Sequence, residues 1–384
     1  MPRPRPLTAE RPTPDRSRPL AVAIDAAPLH GHRTGVGLAT ASLVRELERR
    51  DDVTTSPYLV SFRARPRPGE RRLPLPAAAA MRAWASGDRP RVDRWLHGTD
   101  VVHGTNYVAP PSRLPTVISV YDCWFLAHPD QASSAVRRAG RVLRRAAARG
   151  ARIHVSSHAT ARTAGELLGT DRVSVVHLGP PDPPAATHPA ATRPTATGGP
   201  AGSAPFLLAV GTTERRKDVP ALVRAFDRLA PRHPELRLVV AGAPGDHHDD
   251  VLRAVAESRV AERVHVLGAV DTATRDRLLS TATALVYPSL DEGFGFPILE
   301  AQQAGTPVVA RPSGSIPEVG GDGVALAADG TLDALVEAIV TVVDDDDRRA
   351  ELIRAGQANV ARFSWERTAD ELVGVYRLAC EEAG

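Results

Sequence analysis

Apolar residues in this chain fall in short runs separated by stretches of helical spacing. LAVAID (20–25), VVH (101–103), TVISV (116–120), RIHVS (152–156) and RVSVV (172–176) are rich in Val and Ile and read as buried strands. GVGLATASLVRELERR (35–50) instead spaces Leu38, Leu43 and Leu47 along one side of a helix. Strands alternating with helices predict a mostly parallel sheet covered on both faces. The alternation stops at PPDPPAATHPAATRPTATGGPAGSAP (180–205), which offers almost nothing to bury and reads as a linker. It then restarts with FLLAVG (206–211), LRLVVAG (236–242), RVHVLG (263–268), ALVYP (284–288) and PVVA (307–310). Helices are predicted over 219–230, 249–257, 273–281 and 297–304. The pattern predicts an α/β protein of two domains, 20–180 and 206–362, joined by a 181–205 linker. A disordered tail is expected over 1–19 and a last helix over 363–384. Ligands of open parallel sheets gather outside the carboxyl ends of the strands, so two facing sheets imply a cleft between domains.

Composition narrows the function class. At 384 residues the chain suits two cores, and its 42% hydrophobic and 24% charged content is that of a soluble protein. A net charge of +3 gives no argument for nucleic acid. No apolar run approaches the roughly 20 residues that span a bilayer, and the arginine-bearing N-terminus lacks the apolar stretch of a signal peptide. Cys123 and Cys380 stand far apart in no metal spacing, so they read as free thiols of a cytoplasmic protein. Enrichment in Arg, Ala and Pro fits a GC-rich bacterial genome.

The most informative stretch is DEGFGFPILEAQQAGTPVVA (291–310). Pro297 suits a first helical turn and Gly305 a helix end. Glu292 then lies in a glycine-rich loop and Glu300 about one turn into the helix. Glycines let backbone N–H groups approach a ligand, and carboxylates there can accept from sugar hydroxyls. A glycine turn with two solvated glutamates is the plainer reading. The stretch resembles the E-x7-E motif of retaining glycosyltransferases of family 4, the glycosyl transferases group 1. That resemblance implies the GT-B fold, two Rossmann-like doubly wound domains facing a central cleft. It implies that Glu292 holds hydroxyls of the donor sugar and Glu300 the ribose of the nucleotide. Gly293 and the backbone of Phe294, Gly295 and Phe296 would then lie beside the sugar and diphosphate.

GTTERRKDVPALVRAF (211–226) contains Lys217, the one lysine among 48 cationic residues. It resembles the family's loop after the first strand of the donor domain, beginning here at Gly211, in which an Arg-Lys pair contacts the diphosphate. Arg216 and Lys217 fill those places. Thr213, Arg215 and Asp218 stand where Leu, Pro and Asn are more usual, and Asp218 is expected to cap the helix starting near Val219.

The first half is less specific. HRTGVGLAT (32–40) resembles the family's first glycine loop, with Gly35 and Gly37 allowing close approach of phosphate or acceptor. DVVHGTNYVAPP (100–111) and VISVYDCWFLAHP (117–129) also resemble the family, except that Tyr121-Asp122 stands where many members have His-Asp. Asp122 is expected to hold the acceptor hydroxyl or to cap a helix. His103 reads as an acceptor-side candidate or a satisfied structural histidine. The final segment resembles the family's last helix, which returns to the first domain. Asp344–Asp347 reads as a solvated turn, and no metal site is expected. Arginines 137, 138, 141, 144, 145, 149 and 152 fall within an arc of about 140° at helical spacing, predicting an Arg137–Arg152 helix with a basic face. Its alternatives are a solvated face and docking to an anionic membrane surface.

The resemblance implies a metal-independent, retaining glycosyltransferase with no cofactor. It would move a hexose, mannose from GDP-mannose first, to a glycan, lipid-linked or small-molecule acceptor, in the cytoplasm or at the inner membrane face. A catalytically silent sugar-nucleotide-binding regulator and a sugar-nucleotide epimerase are the alternatives.

Overall fold

The computed structural model describes residues 18–30, 35–182 and 204–383. Most of the 1–19 tail, residues 31–34 of the first glycine loop and most of the 181–205 linker lie outside the described residues. The chain divides into two compact units. One comprises the chain up to Ser156, residues 161–177 and the segment from Trp365 onward; the other comprises residues 157–160 and Leu178–Ser364.

The first unit is built on strands β1 (Leu20–Asp25), β2 (Val53–Val60), β3 (Arg71–Leu73), β4 (Val101–Gly104), β5 (Thr116–Val120), β6 (Arg152–Val155) and β7 (Val173–Val175). They form one parallel sheet in the order β3-β2-β1-β4-β5-β6-β7. The chain's helices here are α1 (Gly35–Leu47), α2 (Ala77–Ser86), α3 (Trp124–Ala127), α4 (Ser134–Ala148) and α5 (His158–Leu168). α4 is shorter than the arginine spacing predicts. Arg149 is its C-cap, and Arg152 lies in β6, buried and paired with Glu382. Gly150, in the left-handed region at φ 89°, turns the chain from helix to strand.

His103 is sealed in this sheet rather than placed along an acceptor loop. Tyr376, on the helix Trp365–Glu381, lies 2.8 Å from His103 Nδ1. His103 Nε2 is 2.8 Å from Ser119 Oγ, which is 2.8 Å from His154 Nδ1. His154 Nε2 reaches the Val176 carbonyl at 3.3 Å. A carbonyl only accepts, so His154 carries its proton on Nε2, Ser119 donates to Nδ1, His103 donates from Nε2, and Tyr376 donates to His103. Every link is thus satisfied with both rings neutral. Burial, and for His103 also the field of His154, lowers the two rings to about 3 and about 4. The chain of bonds fastens the last helix to β4 and leaves His103 nothing to offer a ligand.

The second unit contains β8 (Phe206–Val210), α6 (Val219–Leu229), β9 (Arg237–Ala241), α7 (His248–Glu257), β10 (Val264–Gly268), α8 (Thr272–Thr281), β11 (Ala284–Tyr287), α9 (Phe296–Ala304), β12 (Val308–Ala310), α10 (Ile316–Gly320), β13 (Val324–Leu326), α11 (Leu332–Asp344) and α12 (Asp346–Val360). Its six parallel strands run β10-β9-β8-β11-β12-β13. Alternate residues supply the two faces: Leu207, Leu238 and Val286 enter one core with Phe226, while Leu208, Val239 and Leu285 enter the other with Ile298. The order reverses between β8 and β11, and the crevice at their carboxyl ends is where doubly wound sheets bind ligands. The aspartate run is a helix junction: Asp344 ends α11, Asp345 accepts from Arg348 N at 2.8 Å to cap α12, and Asp346 and Asp347 fill its first turn.

Candidate active site

β8 ends at Val210, and Gly211 turns the chain out at φ 134°, a backbone state that favours glycine. A Cβ there would come within 3.7 Å of Lys217 Cε, so the lysine stem runs along the glycine. Buried Thr213 pins the following loop: its N–H donates to Ala243 O at 3.0 Å, and its Oγ1 accepts from Gly245 N at 3.0 Å. Arg215–Lys217 then form one tight turn, which Leu290 N closes by donating to Arg216 O at 2.7 Å. Asp218 does not cap α6 through its side chain. It adopts a left-handed conformation at φ 42°, and its carboxylate pairs with Arg311 Nη1 at 2.6 Å. Arg311 also donates to Pro288 O at 2.9 Å, and so ties this loop to the segment after β11.

Glu292 arrives from that segment. Its carbonyl accepts from Ser315 N at 2.9 Å, and a Cβ on Gly314 would lie 2.4 Å from the same carbonyl oxygen. Gly314, at φ 53°, is therefore required for the loop to close. The Glu292 carboxylate takes Lys217 Nζ on Oε1 and Arg216 Nη1 on Oε2 at 2.8 Å. Lys217 Nζ also donates to Tyr287 Oη at 2.5 Å and lies 4.5 Å from that ring's centre. Burial alone would raise the Glu292 carboxyl. Arg216, Lys217 and a hydrogen bond from Tyr287 outweigh it and hold the group at about 2. Burial pulls Lys217 down, opposed chiefly by Glu292. A shallow recess lies against Lys217 and Tyr287, lined also by Gly211, Val219, Pro288 and Ser289.

α9 starts after Gly295, which is left-handed at φ 91°, has Pro297 near its start and ends at left-handed Gly305. Phe294 is buried edge-on against Phe296 and Phe363 at 5.3 and 5.7 Å, and Gly293 is buried beside it. Glu300, in the middle of α9, is buried and ion-paired to Arg275 of α8. The structure thus brings Arg216, Lys217 and Glu292 into direct contact. Lys217 and Glu300 also act on each other electrostatically.

The remaining candidates lie in the first unit. Asp122 accepts from Tyr107 Oη at 2.8 Å and from Trp124 N at 3.1 Å, so it orients Tyr107 and holds the chain where it enters α3, whose N-cap is Cys123. Tyr121 is buried edge-on to His154, and burial lifts its hydroxyl to about 12. Gly35 opens α1, and Gly37 is buried within it. Sequence reasoning missed Tyr287, Arg275 and Arg311. The tyrosine lay in a run read only as a strand, and neither arginine carries a local signal.

The GT-B architecture is shared with solved structures. Sucrose-phosphate synthase from Thermosynechococcus elongatus superposes with a TM-score of 0.69 at 18% identity, over 94% of this chain and 98% of that one. Residues 196–359 match the family model described as glycosyl transferases group 1. This segment holds Arg216, Lys217, Glu292 and Glu300, and over it the chain is similar to the glycosyl transferases group 1. O-antigen chain mannosyltransferase B of Escherichia coli is 36% identical over 176 residues, 45% of this chain and 46% of that protein. The GDP-mannose-dependent monoacylated alpha-(1-6)-phosphatidylinositol monomannoside mannosyltransferase of Corynebacterium glutamicum (strain ATCC 13032) is 31% identical over 169 residues, 42% and 44% of the two chains. The chain spans about half the length of the curated relatives it matches.

Proposed function

We propose that this protein is a retaining, metal-independent glycosyltransferase that moves a hexose, mannose first, from a nucleoside diphosphate sugar to an acceptor hydroxyl. The observation that carries this reading is the half-buried Arg216–Lys217 pair facing the buried Glu292 at the carboxyl ends of β8 and β11. A leaving diphosphate gains charge in the transition state, and preorganised cations stabilise it there. Arg216 offers a planar fork and Lys217 a compact point charge. In the unliganded chain Glu292 pairs with both, and Glu214 also pairs with Arg216 at 3.0 Å; with a diphosphate on the cations, the Glu292 carboxylate is released to accept from sugar hydroxyls. Glu300 accepts from the ribose. The leaving phosphate draws the proton from the acceptor hydroxyl as the new bond forms on the same face, which retains the anomeric configuration. Mannose is favoured by the two relatives named as mannosyltransferases.

A nucleotide-sugar screen by thermal unfolding, with chelator present, tests this. GDP-mannose at 100 times its Kd should add about 2.7 kcal/mol of stability. Turnover should persist in chelator, and Glu300→Gln should weaken binding of the nucleotide by about 1–3 kcal/mol in calorimetry. Loss of activity with EDTA, restored by magnesium or manganese, would remove the metal-independent reading. Binding without transfer would leave a silent regulator, and release of an epimerised nucleotide sugar would make the protein an epimerase.

The acceptor side includes a proposed contact with an anionic membrane surface, for an enzyme working at the inner face of the cytoplasmic membrane. No helix among the described residues is long and apolar enough to cross a membrane. On α4, Arg145 and Arg149 are taken by Asp88 at 3.1 and 2.6 Å. Arg137, Arg138, Arg141 and Arg144 pair with no carboxylate among the described residues and make the basic face. Each contributes about 1 kcal/mol near an anionic bilayer. The protein should pellet with anionic vesicles at low salt and be released at high salt. Replacing Arg138, Arg141 and Arg144 by glutamate should abolish pelleting. Equal recovery in the supernatant with neutral and anionic vesicles would leave a solvated face.

A further inference from the structure

Glu300 has a partner that the E-x7-E spacing does not foretell. Arg275, in the first turns of α8, donates from Nη2 to Glu300 Oε1, while Oε2 takes no hydrogen bond among the described residues. The two side chains are 26% and 8% exposed, so the pair is largely withdrawn from water. Arg275 Nε is buried and also pairs with nothing among the described residues. A buried donor left open beside a half-used carboxylate is an incomplete set, of the kind a ligand completes.

We propose that Arg275 is a positioning residue for the nucleotide: its guanidinium fixes Oε1 of Glu300, so that Oε2 is offered, as a carboxylate acceptor, to the ribose hydroxyls. This rests on the reading that Glu300 holds the ribose. The charges around Glu300 explain why a cation is needed. Burial raises the Glu300 carboxyl; Arg275 is the foremost group opposing it, Asp276 of α8 adds to the rise, and Lys217 helps less than Arg275. Tyr287 of β11 also acts on the group, but its hydroxyl is held well above its usual range and stays neutral. Where α12 packs on α9, the contact is through Gln302 and Asn359, which carry no charge. Arg275 is thus the main group that holds the buried carboxylate toward its ionised form, and a protonated Glu300 is a poorer acceptor for two hydroxyls.

The test is binding of GDP and UDP by calorimetry from about pH 6 to about pH 9. Wild type, Arg275→Ala, Arg275→Gln, Arg275→Lys and Glu300→Gln are compared, each checked for a cooperative melt. Wild type should bind the tighter nucleotide with a flat profile. Arg275→Ala and Arg275→Gln should lose about tenfold in affinity near pH 6 and regain most of it near pH 9. The sign follows from the carboxylate: removing the cation raises its pKa, so the ionised, binding form returns only as pH rises. Arg275→Lys should keep most of the affinity and the flat profile. Glu300→Gln should be weak at every pH. If Glu300→Gln is weak while Arg275→Ala matches wild type throughout, Arg275 has no part and the proposal falls. A loss equal at all pH values would make Arg275 a direct ligand contact and overturn the positioning role. A Glu300→Gln variant that binds like wild type would refute the ribose reading itself.

Discussion

Replacing Lys217 by arginine should lower turnover by about 10²–10³, the scale for losing one preorganised stabiliser of transition-state charge. The change keeps the charge, so the expectation rests on shape. Lys217 Nζ reaches the Glu292 carboxylate and Tyr287 Oη together, above the Tyr287 ring and with its stem against Gly211. A guanidinium is planar, wider and forked, and cannot place one compact charge among those three partners. The remaining 47 cationic residues of the chain are all arginines, so the lysine stands out at a position where one compact charge meets Glu292 and Tyr287 together. The fold should survive, with a melting temperature near that of wild type. Steady-state kinetics decide the matter: activity within about threefold of wild type would mean that 10²–10³ of stabilisation does not depend on the lysine's shape.

Glu292→Gln should be equally damaging to turnover, by about 10²–10³, and should separate chemistry from nucleotide binding. The carboxylate is the shared counter-ion of Arg216 and Lys217 and is 5% exposed. Removing one member of a buried ion network leaves unpaired charge and costs roughly 3–5 kcal/mol. That loss should appear as a lower midpoint in denaturant with an unchanged slope. A diphosphate supplies the missing negative charge, so the variant should bind GDP at least as tightly as wild type while transferring sugar about 10²–10³ times more slowly. Nucleotide should also restore much of the lost stability by mass action. Weaker GDP binding in Glu292→Gln would show that the carboxylate supports the diphosphate site rather than occupying it between turnovers.

Much of the fold was legible because buried parallel strands are local signals. LAVAID and TVISV match β1 and β5 residue for residue, since a short run of Val and Ile needs no partner to declare itself. β2, VTTSPYLV, was not legible: polar residues and Pro57 break its pattern, and only pairing with β1, Pro57 opposite Ile24, makes it a strand. β3 and β13 span three residues each, too few to show any period. On α4 the arginine spacing ran past the true helix end, because Arg152 continues the angular pattern by coincidence while its backbone belongs to β6.

The sequence by itself determined the alternation of strands and helices and the two-domain α/β class, and it picked out Arg216, Lys217, Glu292 and Glu300 as candidates. These are properties of runs and spacings within a few turns of chain. Only the tertiary structure decided how those residues are used. It closed Arg216 and Lys217 on one Glu292 carboxylate, added Tyr287 from β11 and Arg275 from α8, and turned Asp218 from a helix cap into a partner of Arg311. It also took His103 out of reach by threading it between Tyr376 and Ser119. The reason is physical: a buried charge or polar group must be satisfied, and its partner comes from whichever strand or helix the packing brings near, at a sequence distance that no local pattern encodes.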